Sequence, residues 1–103
     1  MDLYAIVAGD KKIIRHAHLK KTRHAAIRQQ QRNIPDFVIE MILRYGAAQN
    51  AQDGCTSFSL NKQSRRQLEQ FLGRTAYSKL NEYFNYYVVV AADDSIVTAA
   101  PIN

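Results

Sequence analysis

Residues 86–92 (YYVVVAA) constrain the fold most. They form the longest apolar run in the chain, nearly continuous and β-branched. A run of this length and composition reads as a central strand buried on both faces. It is far too short to span a bilayer. Asp93 and Asp94 then turn the chain, and residues 95–100 (SIVTAA) pair back before Pro101. A sheet is therefore built around the C-terminal third.

The rest of the chain supplies helices to cover that sheet. Thr22 is placed to cap a helix running to about Arg32. On its wheel Ala26, Ile27, Gln30 and Ile34 make a narrow apolar stripe, with His24, Arg28 and Arg32 drifting round an adjacent face. Pro35 sets the start of a second helix. There Phe37, Val38, Met41, Ile42 and Tyr45 recur at helical spacing, Ile39 and Leu43 widen the buried arc, and Gly46 ends it. Residues 47–54 read as a polar connection and 55–60 (CTSFSL) as a strand. Ser64 and Gln67 have capping-box spacing for a third helix carrying Leu68, Phe71 and Leu72. Gly73 ends or bends it, and Thr75 caps a further helical stretch.

At the start of the chain, residues 3–8 (LYAIVA) and 13–19 (IIRHAHL) flank a turn and suggest a hairpin; the competing reading starts a helix at Arg15. The order ββααβααββ predicts one α+β domain over 1–103, with a mainly antiparallel sheet and helices packed largely on one side. Within it, residues 1–20 form a hairpin-like extension and 22–100 a core.

The 103 residues suffice for one modest core, and 47% hydrophobic content with six Tyr and four Phe argues against disorder. A single cysteine, Cys55, excludes an intrachain disulfide. With no evident secretory signal, the expected compartment is the cytoplasm. The formal charge is +5, and its distribution is uneven. Residues 1–32 hold eight Lys and Arg against two Asp, a net of +6. Residues 33–103 hold six against seven acids, a net of −1. Such asymmetry favours a polyanionic partner, nucleic acid before membrane, or an acidic protein.

The candidate chemistry is sparse. His16 and His18 would share one strand face, but a metal site needs further ligands, and Arg15 and Lys20 beside them disfavour a cation. No metal or cofactor is expected. Cys55 lies in a strand-like apolar context and reads as a packed thiol rather than a nucleophile. His24, Arg28 and Arg32 make the strongest site: arginines one turn apart can hold successive phosphates, and the imidazole beside them can move a proton. The alternative is a solvated helix face paired with Asp53, Glu69 or Glu82. Arg15, Lys20, Lys21 and Arg23, with a second cluster of Lys62, Arg65 and Arg66, would add nucleic-acid contacts. The tyrosines at 45, 77, 83, 86 and 87 offer rings for base stacking, but their spacing suits core and rim packing.

From His24 to Thr98 the chain resembles a group of small bacterial domains of unknown function. Their pattern is a histidine, arginines four and eight residues on, then Ile-Ser or Ile-Pro, an apolar helix ending in Tyr-Gly, a strand followed by basic residues, and a closing hairpin. Here these are His24, Arg28, Arg32, Ile34-Pro35, Tyr45-Gly46, Lys62/Arg65/Arg66, and residues 87–89 with 96–98. That group is similar to RelE-like and BrnT-like toxins, which share their fold with several microbial ribonucleases. The resemblance implies an RNA-binding protein with endoribonuclease activity of the toxin kind. His24 would then be the proton-transfer group, and Arg28 and Arg32 would stabilise the phosphorane charge. It also implies an RNA or antitoxin-like acidic protein partner. Two departures stand out: the chain ends TAAPIN without the basic tail common in the group, and it carries the extra basic segment before Lys20. A different class of reading is a non-catalytic module that binds an acidic protein through the same face.

Overall fold

A computed structural model describes residues 20–102. Strand β1 (Lys20–Lys21) leads into helices α1 (Arg23–Gln31) and α2 (Asp36–Tyr45). Strand β2 (Ala47–Asn50), a 3-10 turn (Gln52–Gly54) and β3 (Thr56–Ser59) follow. Helices α3 (Lys62–Leu72) and α4 (Arg74–Leu80) and a second 3-10 turn (Asn81–Phe84) precede the closing strands β4 (Tyr86–Val90) and β5 (Ser95–Pro101). The five strands form one sheet in the order β1-β5-β4-β3-β2. Every pairing is antiparallel except β1 with β5. The domain is α+β, as the element order predicts. The proposed N-terminal hairpin, with His16, His18 and Arg15, lies outside the described residues.

The core lies between this sheet and the helices. Val38, Met41, Ile42 and Leu43 of α2, Leu68 of α3, Phe84, and Val88 of β4 are fully buried. Register explains which sheet face they meet. Phe58, Val88 and Ala99 are aligned across β3, β4 and β5 and share the face toward the helices. Ser57, Val89 and Thr98 are aligned on the other, with Ser59, Tyr87 and Ala100 beside them. That outer face is half-buried at most, so β4 is central but fully buried only at Val88 and Val90. A bulge at Val97 shifts the register, since Val89 pairs with Thr98 and Val90 with Ile96.

Four sequence expectations change. The polar connection after Gly46 is partly a strand. β2 (AAQN) lacks β-branched residues and exists because β3 pairs with it along its whole length. The third helix begins earlier than Ser64, because Asn61 Oδ1 accepts from both Ser64 N and Ser64 Oγ at 2.8 Å. The fourth begins at Arg74, directly after Gly73 at φ 86°, instead of being capped by Thr75. The apolar stripe of α1 is also rotated. Ala25 is its buried residue, while Ile27 is 45% exposed. The phase is set at the helix start: Thr22 N donates to Ile96 O at 2.9 Å and Thr22 Oγ1 accepts from Ala25 N at 3.1 Å. Those two bonds aim position 25 at the sheet.

Candidate polyanion-binding site

Helix α1 carries the basic residues of the candidate site, and its phase sorts them. At 100° per residue, Ala25, Gln29 and Arg32 share the inner flank against β5. His24 and Arg28 share one outer flank, about 6 Å apart along the axis, with Arg23 on the crest. Arg23, His24 and Arg28 are exposed, and none has a hydrogen-bond or ion-pair partner among the described residues. The helix contains no acid.

Arg32 is separated from this group. It ends the helix, is half-buried, and donates from Nη1 to Ala99 O at 2.6 Å. The face inferred from i, i+4, i+8 spacing is thus divided: Arg28 is exposed and Arg32 is bonded to the sheet.

Lys21 is likewise engaged. Its Nζ lies 2.5 Å from Asp36 Oδ1, and Gln29 Nε2 donates to the same oxygen at 2.6 Å and to Ile34 O at 2.8 Å. The ammonium of Lys21, then the Gln29 amide, hold the Asp36 carboxyl below the usual carboxylate range against the opposing effect of burial. This hub joins β1, α1 and the start of α2. It borders an open groove of about 400 Å³ lined by Lys21, Ala26, Gln29, Gln30, Asn33, Ile34 and Pro35. The groove lies on the flank of α1 opposite His24 and Arg28. Lys20 is exposed.

The second basic cluster is also divided. Arg65 is a staple: Nη2 donates to Phe84 O at 3.0 Å and Asn85 Oδ1 at 2.7 Å, and Nη1 to Asn81 Oδ1 at 3.2 Å. It ties α3 to the turn that feeds β4. Lys62 and Arg66 are exposed on α3. Sequence spacing did not show that Arg65 and Arg32 each meet a backbone carbonyl far along the chain. For Arg65 the one available signal was Leu68, an apolar position one turn on that proves buried; Arg32 has no such neighbour.

The other candidates take modest places. Tyr45, Tyr77, Tyr83 and Tyr86 pack against the core. Tyr45 stands 5.8 Å from the Phe71 ring and Tyr77 stacks 5.7 Å from Phe84. Cys55 is half-buried between the 3-10 turn and β3. Among the described residues no three His, Cys, Asp or Glu side chains gather as a metal site, and no helix is long and apolar enough to cross a membrane. No family model matches the chain, and neither a characterised protein nor a solved structure matches it.

Proposed function

We propose that this domain binds RNA through the outer flank and crest of α1, with Arg28 and Arg23 as phosphate ligands and His24 as a hydrogen-bonding neighbour. The observation that carries this reading is that these three side chains are exposed and have no partner among the described residues, on a helix with no acid. Arg23 and Arg28 stand five residues apart, about 7.5 Å along the axis and on different sides of the helix, so each can meet a separate phosphate of a chain that crosses it. Exposed Lys20, Lys62 and Arg66 extend the positive field, and Arg15 adds to it in the sequence. Arg32 and Arg65 contribute by holding the fold. The cytoplasm is the compartment such a partner implies.

Endoribonuclease activity of the toxin kind, implied by the resemblance, then rests on His24. No described carboxylate bonds to its ring, so binding is the primary activity in this reading. A fluorescence anisotropy titration with a short single-stranded RNA tests it. Arg28→Ala is expected to weaken binding several-fold and reduce the slope of log K against log salt by about 1. Arg32→Ala, under conditions where it stays folded, should affect binding less. His24→Ala should abolish any RNA cleavage while binding survives. An acidic protein that binds in an Arg28-dependent manner while RNA does not would replace RNA with the protein partner.

A further inference from the structure

The two ends of the sheet are treated differently: among the described residues, β5 is outermost on one side beyond the two positions that β1 covers, and β2 is the edge on the other. On β5, Ile102 N donates to Asn85 O at 2.8 Å, so alternation turns Ala99 and Pro101 away from β4. That outward row is partly blocked. Arg32 fills the Ala99 carbonyl at 2.6 Å, and Pro101 has no N–H to offer. On β2, Ala51 N donates to Cys55 O at 2.9 Å, so Ala47 and Gln49 face β3 while Ala48 and Asn50 point their N–H and C=O groups outward. Ala48, Gln49 and Asn50 are all exposed. This edge has no charge, proline or bulge, the devices that normally blunt an edge strand.

We propose that β2 is a self-association edge, at which two copies of this chain pair antiparallel about a two-fold axis through Gln49. In that register Ala48 exchanges both backbone bonds with Asn50 of the second copy, and Asn50 with its Ala48. All four outward groups are satisfied, and the two Gln49 residues face one another as the non-hydrogen-bonded pair. Charge selects a second copy as occupant. The chain carries a net charge of +5, and AAQN is neutral, so two copies meeting at this edge bring no like charges face to face, and the two-fold register satisfies the outward groups of both. An acidic peptide would gain nothing from this edge. The axis is perpendicular to the sheet, so both helical layers lie on the same side. The two β5 strands stand seven strand spacings apart, roughly 34 Å before twist. The proposal does not depend on RNA binding.

Sedimentation equilibrium on the whole chain tests it. Four backbone bonds make a weak contact, so the average mass should climb from 11.8 kDa toward twice that as concentration approaches ~1 mM. Gln49→Lys and Gln49→Glu, each placing like charges opposite one another, should remain monomeric. Their equimolar mixture should recover the dimer at low salt. Ala48→Pro removes an outward N–H without touching the β2–β3 ladder and should also abolish association. In the unaltered protein, amide exchange at Ala48 and Asn50 should slow with concentration, while Gln49, already bonded to β3, should not change. A mass fixed at the monomer value, or a rising mass indifferent to Gln49→Lys, overturns the proposal.

Discussion

Arg28 and Arg32 stand one turn apart on α1 but meet opposite surroundings. Arg28 ends in solvent, and Arg32 ends on the Ala99 carbonyl. Substitution should therefore divide their effects. Arg28→Ala is expected to leave thermal unfolding within about 0.5 kcal/mol of the parent. Arg32→Ala strands a partly buried carbonyl and should cost about 1–2 kcal/mol by urea unfolding. Arg65 belongs with Arg32. Its guanidinium meets the Phe84 carbonyl and the side chains of Asn81 and Asn85, and Arg65→Ala should cost a similar amount. Equal destabilisation by all three substitutions would contradict this division. Sequence spacing puts Arg28 and Arg32 on neighbouring positions of a wheel, but the partner that separates them is 67 residues away. No local pattern records that contact.

At the level of elements, junctions decide more than helix interiors. Gly46 ends α2 with extended backbone at φ −67°, so its requirement for glycine is spatial. A Cβ there would press into the Ile42 carbonyl and approach the Ser59 backbone at 3.1 and 3.2 Å. Gly46→Ala should destabilise the domain by about 2 kcal/mol, and a neutral result in chemical denaturation would refute the packing argument. Asn61→Ala, which removes the cap of α3, should cost about 1 kcal/mol. The strongly patterned elements were legible in the sequence: α2 from its repeated apolar residues, β4 from its β-branched run, and α1 from Thr22. What escaped it were features made by partners. β2 is a strand because β3 lies beside it, β1 because β5 does, and α1 takes its phase from the Thr22 bond to Ile96 rather than from its own weak stripe.

For the whole molecule, charge and pH follow from how the carboxylates are held. Lys21 and Gln29 lower Asp36, and the backbone N–H of Ser95, 3.0 Å from the Asp93 carboxylate, lowers Asp93. Groups lowered by folding contribute stability above their unfolded value, near 3.8. That contribution is lost as pH falls through the lower folded values. Burial raises the Tyr45 phenol above its ordinary 10.0, so its contribution is present below that value and lost as pH rises through the folded one. Thermal stability should thus be flat from about pH 5 to 9 and fall on both sides. Asp36→Asn should flatten part of the acid limb, by at most about 1 kcal/mol because the carboxylate is exposed. An acid limb unchanged in Asp36→Asn would show that the hub contributes nothing. The uneven charge of the chain was plain in its sequence; the burial of some of that charge in internal bonds was not.

RNA binding by this domain turns on where a polyanion meets its surface. Amide chemical shifts followed during titration with a short single-stranded RNA read that location directly. The largest shifts should fall on Arg23, His24, Ile27 and Arg28 and disappear at high salt, while the groove beside Pro35 and the outer sheet face at Ser57 and Val89 stay still. Shifts centred on the groove or the sheet face, or none at RNA concentrations where the basic flank should be occupied, would contradict binding there.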